Sequence, residues 1–179
     1  MKRKTLLLLM LLTIGATSAW AQTTEIYSDT DWNNFAASVR NGTTYSGSTV
    51  HLRANISITS QANQAGANDN LFQGTFDGHG NTITVNMTGT GAYCAPFYGI
   101  ENAAINNLVV TGTITSEYVY VGGICGIMNG SSTFTNCNSD VAITSTCTTT
   151  PNDNNGWGTC GGFVGSSGGT ANPKFYGCA

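Results

Sequence analysis

The C-terminal two thirds of the chain repeat a short apolar pattern, and this repeat constrains the fold more than any other feature. Glycine-containing apolar segments recur three times: Pro96-Phe97-Tyr98-Gly99-Ile100, Gly123-Ile124-Cys125-Gly126-Ile127 and Gly162-Phe163-Val164-Gly165. After a polar turn, each is followed by a second apolar segment: Ile105-Asn106-Asn107-Leu108, Phe134-Thr135-Asn136-Cys137 or Phe175-Tyr176-Gly177-Cys178. The intervals from Gly99 to Gly126 and from Leu108 to Cys137 are similar, and their lengths suit one coil of a parallel β-solenoid. The repeats therefore predict an all-β solenoid whose equivalent apolar side chains stack inward as ladders.

Composition favours the same fold class. Glycine occurs 23 times and charged residues make up only 8% of the chain, as is typical of short strands separated by Gly and Asn turns. One amphipathic helix is predicted from Thr30 to Arg40, with Asp29 or Thr30 at its N-cap. We expect this helix to cover the open end of the sheets, where unpaired edge amides invite aggregation. The mature chain then divides into an N-terminal cap over residues 22–70 and coils over 71–179.

The N-terminal segment, residues 1–21, has the order of a secretory signal. Lys2, Arg3 and Lys4 precede an apolar run from Leu6 to Ile14, and Ala19-Trp20-Ala21 provides a cleavage site. The run is too short for the roughly 20 residues of a membrane-spanning helix. We expect an exported protein, resident in the periplasm, on the cell surface or outside the cell, with no transmembrane segment in the mature chain.

The charge of the mature chain excludes nucleic acid as a partner. Removal of the leader leaves three cations, Arg40, Arg53 and Lys174, against nine carboxylates, for a net charge near −6. Three scattered cations cannot form the basic face that neutralises phosphates.

The interval from Gly126 to Gly165 is longer than the one before it, so one coil carries about ten extra residues. We place this insertion between Thr146 and Thr159 and expect a projecting loop. It carries Trp157, whose indole can stack on a sugar ring beside Tyr118 and Tyr120 of the preceding coil. In the alternative, the Trp157 indole packs back onto the flank of the solenoid.

Six cysteines in an exported chain raise the question of disulfides. Cys94, Cys137, Cys160 and Cys178 align with apolar positions of other coils, which predicts that they pack as small hydrophobic residues. Cys147 lies in the insertion, shortly before Cys160, and a bridge between these two would close the loop. Such a bridge would contribute about 3 kcal/mol.

Two parts of the chain carry a family resemblance. The N-terminal part resembles the opening of secreted right-handed β-helix proteins common in gut Bacteroidetes, through Trp32 to Val39, Val50-His51-Leu52-Arg53-Ala54-Asn55-Ile56 and Phe72 to Ile83. The coils containing Gly-Gly-Ile-Cys-Gly and Gly-Gly-Phe-Val-Gly are similar to the GLUG repeat of bacterial surface and adhesin-like proteins. The resemblance implies a right-handed parallel β-helix that acts as a non-enzymatic adhesin-like module, with a glycan or a host surface protein as partner.

Two rival functions stay open. One is a carbohydrate-active β-helix enzyme, pectate lyase-like or a glycosidase; the other is a scaffold fragment of a larger surface protein, such as a GLUG-containing peptidase. Gly78-His79-Gly80 resembles a motif of pectin-degrading glycosidases, but the acidic segments that accompany it there are missing, so we predict no catalytic residue and a solvent-facing His79 in a turn. With only His51 as a second histidine and no Cys-x-x-Cys pair, no metal site and no cofactor are predicted.

The last predicted coil ends at Ala179, before a strand equivalent to Val141-Ala142-Ile143-Thr144. Solenoids generally need a polar terminal cap, so we expect either that the sequence is truncated at Ala179, which we favour, or that the uncapped coil self-associates with another chain.

Overall fold

The structure is a computed structural model that describes residues 23–147 and 159–179. The predicted signal peptide, residues 1–21, lies outside the described residues. Trp157 and most of the predicted insertion also lie outside them. No helix among the described residues has the length and apolar content that crossing a bilayer requires.

Fifteen short strands, one α-helix and one 3-10 turn make up the described chain. In chain order they are β1 (Thr23–Ile26), α1 (Asp29–Arg40), β2 (Thr49–Leu52), β3 (Ile56–Ile58), the 3-10 turn (Gln61–Asn63), β4 (Thr75–Asp77), β5 (Thr82–Thr88), β6 (Phe97–Glu101), β7 (Ala104–Asn106), β8 (Val109–Ser116), β9 (Val121–Gly122), β10 (Cys125–Asn129), β11 (Thr133–Thr135), β12 (Asn138–Ser145), β13 (Cys160–Gly161), β14 (Val164–Ser167) and β15 (Lys174–Tyr176).

The strands form parallel sheets in which each strand pairs with its equivalent one coil away. The orders are β1-β2-β4-β7-β11-β15, β12-β8-β5-β3, β14-β10-β6 and β13-β9. This is the parallel β-helix that the repeats predict. The strands β1 to β3, which the sequence places in the cap, already belong to the same sheets as the later coils.

One ladder illustrates how the core forms. Val50, Phe76, Ile105, Phe134 and Phe175 occupy successive positions across the first sheet, and the first four are fully buried. Because side chains alternate between the two faces of a strand, the residues beside them in sequence face outward. The burial of these stacked apolar side chains stabilises each coil on its neighbours.

The pairing corrects one predicted alignment. The glycine pattern predicts Gly99 opposite Gly126, but Gly99 lies opposite Ile127 and Phe97 opposite Cys125, so this step is one residue longer than predicted. The buried side chains of Phe97 and Cys125 set the register, since slipping by one residue would turn them outward. The predicted alignment of the second apolar segments is confirmed, because Ile105 lies opposite Phe134.

Helix α1 covers the N-terminal end of the core, as predicted. Its N-cap is Ser28, one residue before the predicted candidates, and the Ser28 hydroxyl accepts a hydrogen bond from the Asp31 amide at 3.2 Å. The predicted alternative, Asp29, instead accepts a hydrogen bond from the amide of Ser57 at 2.8 Å. The buried face includes Trp32, whose indole nitrogen donates to the carbonyl of Asn63 at 2.8 Å.

The coil at the other end exposes apolar surface. Phe175 is 46% exposed and Tyr176 54% exposed, although β15 is paired with β11 along its length. Among the described residues no further coil covers this face.

Candidate functional site

Three tyrosines from neighbouring coils form a continuous aromatic cluster on one side of the β-helix. The ring of Tyr93 lies 4.8 Å from that of Tyr120, nearly parallel to it, and 5.0 Å from that of Tyr98. Each of the three residues is half-buried. Tyr93 and Tyr98 line two surface depressions, which we call the two lobes of the tyrosine cleft.

The backbone holds two of these rings in an unusual conformation. Tyr93 has φ of 62° and Tyr120 has φ of 67°, in the left-handed region that bulky residues rarely adopt. Backbone strain of this kind concentrates at binding and catalytic sites, where the surrounding structure enforces it.

A glycine of the following coil makes room for each strained turn. A Cβ added to Gly126 would lie 2.6 Å from the carbonyl oxygen of Tyr93, and one added to Gly165 would lie 2.6 Å from the carbonyl carbon of Tyr120. Gly126 and Gly165 occupy equivalent positions, because their neighbours Cys125 and Val164 are paired. The last glycine of the repeated motif therefore leaves room for the backbone of the tyrosine in the preceding coil.

The first lobe of the tyrosine cleft has a volume of about 470 Å³ and a polar lining. Its polar side chains are Asn68, Asp69, Glu101 and Asn129. The Glu101 carboxylate is oriented by Gln73, whose side-chain amide donates to it at 2.8 Å. This lobe combines aromatic faces with planar polar groups.

The second lobe, about 420 Å³, shares Asn68, Tyr93 and Tyr98 with the first. Gln61 and Gln64 line it, and both are more than nine-tenths buried. Gln61 is fully engaged, with its side-chain oxygen accepting from the amides of Thr90 and Gly91. The Oε1 atom of Gln64, in contrast, is buried without a hydrogen-bond partner in the described part of the chain.

The hydroxyls of Tyr93 and Tyr98 stay protonated at neutral pH. Burial raises the pKa of Tyr93, and the neighbouring Tyr120 raises it further. Burial likewise raises the pKa of Tyr98, with a smaller contribution from Tyr93. Both phenols can therefore donate as well as accept hydrogen bonds.

The predicted ligand-binding residues fall in different places. Tyr120 lies in the aromatic cluster. Tyr118 is 46% exposed and lines a neighbouring depression of about 530 Å³ with Glu117 and Thr146. Because Trp157 lies outside the described residues, its predicted place beside these tyrosines stays a prediction.

The cysteines only partly follow the predicted pattern. Cys94 and Cys137 are buried, as expected of small hydrophobic residues, and Cys178 is half-buried. Cys160 is exposed even though it lies opposite Val121, because no described coil stacks on the far side of β13. The disulfide between Cys147 and Cys160 stays a prediction.

The histidine of the Gly78-His79-Gly80 segment lies in a tight turn, as predicted. His79 and Gly80 both have positive φ, and the Asn81 amide donates to the carbonyl of Gly78 at 2.8 Å. His79 is exposed, as predicted, and its side chain also contacts His51 and lies near Asp77.

No protein-family model, curated protein or solved structure matches the chain. Its function is therefore inferred from the residues of the site.

The sequence interpretation missed Tyr93 and Tyr98 as site residues. A signal for Tyr93 was present, since aligning Cys94 with Val121 also aligns Tyr93 with Tyr120. Tyr98 carried no such signal, because its equivalent in the next coil is Gly126.

Proposed function

We propose that this chain is a non-enzymatic secreted or cell-surface module, adhesin-like, that binds a glycan in the tyrosine cleft. Sugars present apolar C–H faces and a ring of hydroxyls. The aromatic faces of Tyr93 and Tyr98 can pack against the apolar C–H faces, and the amides and carboxylates of the first lobe can hydrogen-bond the hydroxyls. The GLUG-like motifs fit this proposal, because their last glycines leave room for the backbone of Tyr93 and of Tyr120.

The observation that carries the proposal is the aromatic cluster, in which Tyr93 and Tyr98 line both lobes of the tyrosine cleft beside its polar side chains. Tyr93 and Tyr120 are held at positive φ, a strain that persists only where the surrounding structure enforces it. These features favour a built ligand site over a surface irregularity.

A glycan array tests the proposal. The wild-type protein is expected to bind a subset of glycans, and Tyr98→Ala is expected to lose that binding while keeping its circular dichroism spectrum. Tyr27→Ala is the matched control, because Tyr27 is 63% exposed and does not line the tyrosine cleft. Equal binding by the wild type and Tyr98→Ala would contradict the proposal.

A carbohydrate-active enzyme is the second candidate, favoured by Asp69 and Glu101 lining the same lobe. Glycoside hydrolysis uses a pair of carboxylates that flank the scissile bond. Incubating each bound glycan with the protein and separating the products by chromatography distinguishes the two functions. Cleavage that is lost in both Asp69→Asn and Glu101→Gln would establish the enzyme, whereas intact glycan supports the binding module.

A further inference from the structure

The two histidines of the chain meet on the outer face of the β-helix, far apart in sequence but one coil apart in space. His51 on β2 lies directly opposite Asp77 on β4, and Glu25 on β1 lies opposite His51 on its other side. Strand positions that are opposite one another in neighbouring strands project to the same face. The turn after β4 then brings His79 back over the same face.

The side chains converge at their ligating atoms. The Nδ1 atom of His51 lies 2.8 Å from the Nε2 atom of His79, and that Nε2 lies 3.5 Å from Oδ2 of Asp77. One nitrogen or oxygen from each of the three residues lies within 4.8 Å of the other two. Ligands at the corners of a zinc tetrahedron are about 3.3 Å apart. The Asp77–His79 separation is close to that value, and the two histidine nitrogens need to separate by about half an ångström.

We propose that His51, His79 and Asp77 form a binding site for a divalent transition metal of the zinc class. Two imidazoles and one carboxylate are a ligand set that zinc accepts, with the remaining position open to water. The metal would replace the hydrogen bond that now joins the two imidazoles. His79 sits on an exposed turn next to Gly80, so the required movement does not disturb the core.

The Asp77 carboxylate is already oriented for this role. Its Oδ1 atom accepts hydrogen bonds from the His79 amide at 3.0 Å and from the Asn107 side chain at 3.1 Å. These bonds fix the plane of the carboxylate and leave Oδ2 directed at the histidines. Asn107 is thus a positioning residue that supports a ligand without touching the metal.

Arg53 opposes cation binding at this site. Its guanidinium lies 3.1 Å from Nε2 of His79, and it also forms an ion pair with Glu25. A fixed positive charge this close repels a divalent cation, although Glu25 offsets part of that charge. Removing the guanidinium should therefore tighten metal binding, whereas an arginine with a purely structural role would leave the affinity unchanged.

Competition with a chromophoric chelator measures Zn²⁺ affinity in the full chain at neutral pH. We expect His51→Gln and His79→Gln each to weaken binding by more than about a hundredfold, and Asn107→Ala by about ten- to a hundredfold. We expect Arg53→Gln to bind more tightly than the wild type. Asp140→Asn is the matched control, because Asp140 is an exposed acid on β12 outside the cluster, and its affinity should equal that of the wild type.

Cobalt spectroscopy separates this site from binding by the cysteines. Co²⁺ bound by imidazole and carboxylate lacks the intense thiolate charge-transfer band, and the expected spectrum has visible bands alone. Melting curves recorded in EDTA check that each variant is folded. The proposal is wrong if the wild type binds no Zn²⁺, if the folded histidine variants bind as tightly as the wild type, or if the thiolate band appears.

Discussion

Replacing Gly126 by alanine tests how the repeat motif builds the tyrosine cleft. The added Cβ would lie 2.6 Å from the carbonyl oxygen of Tyr93 and 2.7 Å from its Cα and Cβ. Because backbone atoms cannot give way as a side-chain tip can, the strained turn must shift. Overpacking costs about 1–3 kcal/mol, and the lower entropy of the unfolded alanine chain offsets about 0.4–1 kcal/mol. We expect a net loss of about 1–2 kcal/mol in the free energy of unfolding.

Gly162→Ala is the matched control, because Gly162 belongs to the next copy of the motif and an added Cβ there meets no described atom within 4 Å. Urea denaturation followed by circular dichroism measures both variants. The control should stay within about 0.5 kcal/mol of the wild type or gain slightly in stability. If Gly126→Ala is as stable as Gly162→Ala and binds glycans as tightly as that control, Gly126 is not needed to accommodate the backbone of Tyr93 and the reasoning is refuted.

Three further predictions concern the core and the cysteines. Burial raises the pKa of Cys94 and of Cys137 from about 9 to about 11, so these thiols ionise at a lower pH in the unfolded chain than in the folded one. The free energy of unfolding should therefore fall as the pH rises from about 9 to about 11. Cys137→Ala should reduce this pH dependence, as measured by denaturation at several pH values across that range. Trp32→Ala should lower the free energy of unfolding by about 3–5 kcal/mol, measured with urea, since the fully buried ring joins α1 to the coils. Mass spectrometry after alkylation of the denatured, unreduced protein should show four labels if Cys147 and Cys160 are bridged; six labels would exclude the bridge.

The repeat and the helix could be predicted because local sequence determines them. Trp32, Phe35, Ala36 and Val39 have helical spacing, and all four are buried on one face of α1. The N-cap was misplaced by one residue, because Ser28, Asp29 and Thr30 are all good caps and the choice depends on a contact from another coil. The amide of Ser57, which binds the Asp29 carboxylate, is that contact.

The candidate sites were harder to predict, because they depend on stacking between coils. His51 and His79 are separated in sequence by the same number of residues as Phe97 and Cys125, which lie opposite each other one coil apart. Metal-binding motifs are recognised by short spacings between ligands, so such a distant pair is not detected. The contact between Tyr98 and Tyr93 could not be predicted even from the coil length. It depends on the path of a connecting turn, which the coil length does not determine.

The most direct test of the central claim is an NMR titration of the labelled protein with a glycan identified on the array. We expect the largest chemical-shift changes at Tyr93, Tyr98 and Tyr120, together with the side-chain amide of Gln64. Saturable changes confined to this set would support a glycan site built by the repeat. Changes confined to residues 148–158 or to β15, with the tyrosine and Gln64 signals unmoved, would contradict it.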